Sequence, residues 1–262
     1  MDYLNYGKRV QQQPQKVKPQ GFGQQKVQLT KDDFCFGDLL NQQTTQPQVA
    51  PQTKETKDEL VQLFPTPVLI CPCPFEYGKE LEWIKNQDSR DNNSYYSVFN
   101  RQSKDTFLLD NPEMSRVKQF IESKLKDFII KVMGSDNELV ITQSWFNKCG
   151  KGQSHHLHRH PNSMISGVWY PFCHEKLPPI EFKIGQEREM SFSIKNFNHF
   201  NCSSFMIHLN MGDLIIFPSN LNHSVPPNQS DEERISLSFN TWTKGSLGDK
   251  EKLTYLPLDR CV

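Results

Sequence analysis

Between Glu138 and Trp242 the chain settles into a strand period that leaves few folds open to it. ELVITQSWF, the histidine stretch, SMISGVWYPF, IEFKI, SFMIHL, DLIIF and RISLSFNTW follow one another, each rich in β-branched and aromatic residues, with turn residues between them. Short strands at such close spacing bury their apolar faces by stacking two sheets or by closing into a barrel. Upstream the period is helical. Val117, Phe120, Ile121, Leu125, Phe128, Ile129 and Val132 recur at three and four, which predicts an amphipathic helix over 112–133 lying on a sheet. Asn111 suits its cap, Pro112 its first turn and Gly134 its close. A weaker helix is expected over 80–87, and a strand at PTPVLI. Helix first and strands afterwards predicts a mainly β fold, a jelly-roll barrel with supporting helices on one face.

The N-terminal part reads differently. Residues 1–57 are rich in Gln, Pro, Lys and Thr and poor in periodic apolar residues, so they are expected to form a disordered tail ahead of one domain over 58–262. Asp32 to Leu40 (DDFCFGDLL) is an acidic and apolar island, a candidate docking motif for a protein partner or a site of transient local collapse. Leu60, Val61 and Leu63 suggest a short helix or turn at the start of the domain.

Thirty basic and thirty acidic side chains give a formal net charge of zero, so nothing global calls for a nucleic-acid or membrane partner. Seven scattered cysteines without paired spacing argue against a disulfide framework, and FPTPVLICPCPF is too short and proline-broken for a membrane span. The opening residues carry no apolar core of a secretory signal. An intracellular location, cytoplasmic or nuclear, is the expectation.

Chemistry concentrates at His155–His160. Four of the eight histidines fall within these six residues, just before a strand-like run. On a strand, alternate side chains share a face, so His156, His158 and His160 are expected to point one way and Leu157 and Arg159 the other. Imidazoles two apart on a strand make half of a metal site for iron, zinc, copper or nickel; a surface histidine cluster is the plainer alternative. Downstream, His223 and Arg234 flank the polar turn PPNQSDEE almost symmetrically, which would set them close together across an antiparallel hairpin. Arg234 and Ser236 share a strand face and together suit a carboxylate, the guanidinium making the bidentate contact. Singly, His223 reads as an ordinary histidine and Arg234 as a rim charge; together with His158 and His160 they read as a site.

With these residues in place the chain resembles the iron(II)- and 2-oxoglutarate-dependent oxygenase superfamily, and within it a family known mainly from tailed phages and bacteria. The resemblance runs over about residues 60–255 and is carried by LFPTPV, SKDTFLLDNPEM, ITQSWFN, HHLHRHPNSMISGVWY, GDLIIFPSNLNHSV, RISLSFNTW and KGSLGD. HPNS-x-x-SGV and RISLSFN are its most specific pieces. It implies a double-stranded β-helix of cupin-like form, with iron held at its mouth by a facial triad. Position by position, His158 is the first ligand and His223 the distal one, while His160 stands where the superfamily usually has a carboxylate. A neutral imidazole there leaves the metal site one unit more positive, which favours an anionic co-substrate. Inactivation, or ligation by His156 or by a carboxylate from elsewhere, stays open; His155 and His156 are expected to support the site or lie in a loop.

Arg234 with Ser236 would bind the distal carboxylate of 2-oxoglutarate. Asn147, Ser166 and Tyr170 would face either its keto-acid end or plain core. Asp213 would cap a turn, and the stretch from Met190 to Phe205 would form a lid. The implied activity is a dioxygenase reaction using Fe(II), 2-oxoglutarate and O2, with ascorbate as an accessory reductant. It would hydroxylate a small molecule or a protein side chain and release succinate and CO2. Two rivals stand beside it: a cupin-like zinc or other metal hydrolase or isomerase, and a catalytically silent barrel serving as an interaction module.

Overall fold

The computed structural model describes residues 64–93, 98–185 and 192–258. The expected tail, its Asp32–Leu40 island and the turn at Leu60 to Leu63 lie outside these residues. Along the chain come β1 (Leu69–Cys71), α1 (Gly78–Lys85), β2 (Ser89–Asn93), β3 (Val98–Ser103), α2 (Ser115–Lys131) and β4 (Leu139–Cys149). They are followed by β5 (His155–His158), β6 (Ile165–Phe172), β7 (Ile180–Lys183), β8 (Ser204–Ile207), β9 (Leu214–Pro218), β10 (Asn222–Val225) and β11 (Arg234–Thr243). Two short strands, β12 (Ser246–Leu247) and β13 (Leu256–Pro257), close the described part.

Seven strands form a large sheet in the order β1-β9-β6-β11-β4-β3-β2, and four form a smaller one in the order β5-β10-β7-β8. Every strand pair in both sheets is antiparallel. This mainly β, two-sheet jelly roll with helices beside it is the expected fold. Period-two alternation sorts the large sheet into two faces. Ile165 and Trp169 of β6, Leu214 and Ile216 of β9, and Ile235, Leu237 and Phe239 of β11 pack with Val117, Phe120, Ile121, Leu125, Phe128 and Ile129 of α2. Each such side chain, once buried, contributes about 1.5–3 kcal/mol of transfer free energy. Their neighbours Val168, Tyr170, Ile215 and Phe217 face the other way and meet Ile180 and Phe182 of β7. The large sheet is therefore buried on both faces, and its inner face looks into the space between the sheets.

The long helix begins one turn later than its apolar pattern: Pro112–Met114 is a 3₁₀ turn, and α2 proper starts at Ser115. Asn111 makes no side-chain cap; its Nδ2 donates instead to Leu108 O at 3.1 Å and to Asp105 Oδ2 at 3.1 Å. Gly134 does close the helix, with φ +62° and the Ser135 N–H donating to Ile129 O. Val132, beyond the last helical residue, is exposed. No described helix is long and apolar enough to cross a membrane.

Candidate metal and anion site

Three inward-facing stretches meet at one end of the space between the sheets. The first comes from the small sheet, where His223 of β10 sits directly opposite His158 of β5 in the antiparallel register. The second is the turn after β5, which delivers His160. The third is the inner face of the large sheet: Trp145 and Asn147 of β4, Tyr170 of β6, and Arg234, Ser236 and Ser238 of β11. All of these line one cavity together with His155. His158, His160, His223, Arg234, Ser236, Tyr170 and Asn147, which the sequence singled out, are thus brought together. Leu157 and Arg159 point outward and are exposed, as alternation requires.

His160 lies beyond the end of β5, so strand periodicity does not place it. HPNS does. Asn162 adopts φ +56°, a left-handed conformation that asparagine tolerates, and this turns the chain sharply after Pro161. The His160 N–H donates to Ser219 O at 2.9 Å. Ser163, Ser166 and Ser219 then form a hydroxyl chain, with 2.7 Å between Ser219 Oγ and each of the other two. Ser166 Oγ also donates to Asn240 Oδ1 at 2.9 Å and lies 3.2 Å from His160 Nδ1. Gly167 follows because no side chain fits there: a Cβ would lie 2.4 Å from Phe239 Cζ and 2.8 Å from Ile215 O.

The tautomers follow from the acceptors. His158 Nδ1 faces His156 O at 2.8 Å and His223 Nδ1 faces Leu221 O at 2.9 Å. A carbonyl oxygen only accepts, so both Nδ1 atoms carry the proton and both Nε2 atoms present a bare lone pair. His160 Nδ1 is held in the same way by Asn240 Oδ1. Yet His160 Nε2 and His158 Nε2 are only 3.3 Å apart. Two bare nitrogens repel at that distance unless a cation lies between them. The ligand atoms of His158, His160 and His223 all fall within 4.8 Å of one another, which suits a common ion at roughly 2.1 Å from each nitrogen. Burial reinforces the neutral state needed for ligation. It lowers the histidine pKa to about 3 at His223, aided by His158, and to about 4 at His158. At His160 burial also lowers it, against the raising effect of Asn240. Carboxylates do not join this group among the described residues.

Deeper in the cavity Arg234 is 3 % exposed and makes no ion pair among the described residues. Its guanidinium stacks over the Tyr170 ring at 4.7 Å and makes a long 3.4 Å contact to Ser236 Oγ. Arg234 Nε, Tyr170 Oη, Asn147 Oδ1 and Trp145 Nε1 are all buried without a hydrogen-bond partner. Burial pushes the Tyr170 phenol up to about 12, so it stays a donor. Arg234 Nε, Tyr170 Oη and Trp145 Nε1 are donors, and a buried guanidinium beside such unmet donors calls for an anion with several acceptor oxygens. Asn147 Oδ1 is an acceptor, which such an anion does not meet.

Some expectations are corrected. His223 and Arg234 are not hairpin partners, because β10 belongs to the small sheet and β11 to the large one; they approach by facing each other between the sheets. His155 is not in a loop: β5 begins there, its ring stacks on His158 at 4.5 Å, and it lines the cavity. His156 is exposed and not one of the inward alternating set. Asp213 does cap its turn, accepting from the Asn210 N–H at 2.8 Å. Met190 lies outside the described residues. Phe192, Ile194 and Phe197 line a cleft of about 950 Å3 with Leu157, Glu181 and Lys183, and no histidine borders it. Trp145 and Asn240 escaped notice as site residues. The alternation of RISLSFN puts Asn240 on the Arg234 face, a legible signal, whereas nothing separates Trp145 from ordinary core tryptophans.

Comparison with known proteins gives one family match over part of the chain and several likenesses of fold. Residues 143–240 match the family described as "Putative 2OG-Fe(II) oxygenase". No curated protein matches the sequence. The fold is similar to that of SnoN, a non-heme α-ketoglutarate-dependent epimerase of nogalamycin biosynthesis. The TM-score is 0.53 at 12% identity, over 69% of this chain and 77% of that one. The carbocyclase SnoK of the same biosynthesis matches with TM-score 0.50 at 11% identity, over 73% and 87%.

Proposed function

We propose that this chain is a 2OG-Fe(II) oxygenase-type enzyme, a reading supported by the family match and the fold, and that it hydroxylates a C–H bond of a small molecule or protein side chain, with 2-oxoglutarate as co-substrate. In balance, one substrate C–H, one 2-oxoglutarate and one O2 give the alcohol, succinate and CO2. The observation that carries the reading is the pairing of a three-imidazole cluster with the buried guanidinium of Arg234, which has no ion pair among the described residues, in one cavity. A metal hydrolase needs the first and has no use for the second.

The bound iron(II) would supply the O2 chemistry, and the protein's side chains would do the rest. His158, His160 and His223 would donate Nε2, held by His156 O, Asn240 Oδ1 and Leu221 O at the opposite ring nitrogens. Such outer hydrogen bonds fix ring orientation and raise ligand basicity. Arg234 and Ser236 would take the distal carboxylate, and Tyr170 would donate to the same anion. Trp145 through its Nε1–H and Asn147 through the Nδ2–H not given to Ser238 would bind polar atoms of the co-substrate. Val168, Ile180 and Val225 line the same cavity and would keep water from it. With three neutral ligands the metal keeps its full positive charge, which would favour a dianionic co-substrate.

The test is anaerobic loading of the full chain with Fe(II), then measurement of succinate formed from 2-oxoglutarate on admitting O2. Succinate that depends on iron is expected. Firm zinc binding together with no 2-oxoglutarate binding would overturn the reading in favour of a metal hydrolase.

A further inference from the structure

The cavity holds one imidazole more than the triad uses, and a fault in strand pairing puts it there. β5 and β10 pair as His158 with His223 and His155 with Val225, so three steps on β5 are matched by two on β10. This is a bulge, and bulges re-aim side chains. On a regular strand His155 and His158 would face opposite ways. The extra residue lets both point toward the cavity, where their rings stack at 4.5 Å. His156 is folded in beside them, its ring centroid 5.1 Å from that of His155 and 4.9 Å from that of His158. The ligand atoms of His155, His156 and His158 lie within 4.8 Å of one another.

We infer that His155, His156 and His158 form a second divalent transition-metal site, alternative to the deeper one because both require His158. Three neutral imidazoles without a carboxylate suit Zn2+, Ni2+ or Cu2+ and leave Ca2+ and Mg2+ unfavoured. His158 offers a single nitrogen, since Nδ1 is tied to His156 O. One ion therefore withdraws it from the other site. Access differs as well. His156 is exposed and His155 and His158 are half-buried, whereas His160 and His223 are 8 % and 4 % exposed. An ion arriving from solvent meets the outer trio first, and an excess of zinc or nickel there takes a ligand from the inner trio.

The full chain carrying His160→Gln and His223→Asn removes the inner site and leaves the outer one. Titrated calorimetrically with Ni2+, it binds one equivalent, and adding His156→Ala weakens that binding by at least roughly tenfold, the scale of a disturbed metal shell. If the double variant fails to unfold cooperatively by circular dichroism, the comparison is made on His223→Asn alone, with the same expectation. Absence of Ni2+ binding, or binding indifferent to His156→Ala, overturns the proposal.

Discussion

Replacing Arg234 by methionine separates a binding role from a structural one, because the two predict opposite signs. The guanidinium is 3 % exposed, has no ion pair among the described residues and leaves Nε without a partner. A buried charge without its counter-ion lowers stability. An apolar side chain of similar length keeps the packing on Tyr170 and removes that penalty, so the metal-loaded, co-substrate-free variant should melt no lower than the parent. Binding should move the other way. Truncating one partner of a buried, hydrogen-bonded charge pair costs about 2–5 kcal/mol, or a roughly 30- to several-thousand-fold loss of 2-oxoglutarate affinity. Thermal melting reads both effects. With 2-oxoglutarate at 100 times the parent Kd, and Mn2+ in place of iron to prevent turnover, the parent gains about 2.7 kcal/mol. The variant should gain about 0.9 kcal/mol or less. A variant that melts well below the parent without ligand, yet keeps its full ligand-induced shift, would refute the reasoning and make Arg234 a structural residue.

Three further outcomes are expected. Asn240→Leu removes the acceptor at His160 Nδ1 and should lower metal affinity about 10–100-fold, measured by metal content after dialysis against a graded chelator. The metal-free protein should lose stability in mild acid. His223 and His158 hold pKa values of about 3 and 4 when folded, while the unfolded chain takes up protons near pH 6.5. Stability is therefore full above pH 6.5 and falls as pH drops toward those values, by at most about 2 kcal/mol per histidine at pH 5. Urea midpoints at pH 7.5 and 5 test this, and His223→Gln should flatten the difference; equal slopes for parent and variant would contradict it. Gly167→Ala drives a Cβ into Phe239 and the Ile215 carbonyl and should destabilise by about 1–3 kcal/mol, read by denaturant unfolding.

How much of this was legible depended on the range of the signal. Local periodicity was enough for α2 and for the strands, since the heptad-like stripe from Val117 to Ile129 and the alternation of β11 are written in neighbouring residues. The same alternation marked Arg234 and Ser236, because polar side chains repeat there on one face of a strand whose other face is Ile235, Leu237 and Phe239. Pairing was not legible. The symmetry of His223 and Arg234 about their turn looks like a hairpin, and only long-range competition for partners assigns β10 to β5 and β7 and β11 to β4 and β6. Nor was the bulge that turns His155 inward, since its cause lies in the register of two strands and not in either alone. Asn240 shares the Arg234 face by that same alternation, but the pattern does not say that it holds His160 Nδ1.

The turn joining β10 to β11 links the metal side of the cavity to the anion side, and one side chain pins it. Asn228, 1 % exposed, donates through Nδ2 to Cys149 O and Glu232 O at 2.8 Å each and accepts from the Ser230 N–H. Its backbone exchanges hydrogen bonds with Gln153 and Gly152. The arch is thereby riveted to the β4–β5 connection, so the gap between imidazole and guanidinium is set by a clasp outside the cavity. Loosening that clasp would let the two sheets drift apart and would degrade both grips at once, with every residue that lines the cavity still intact.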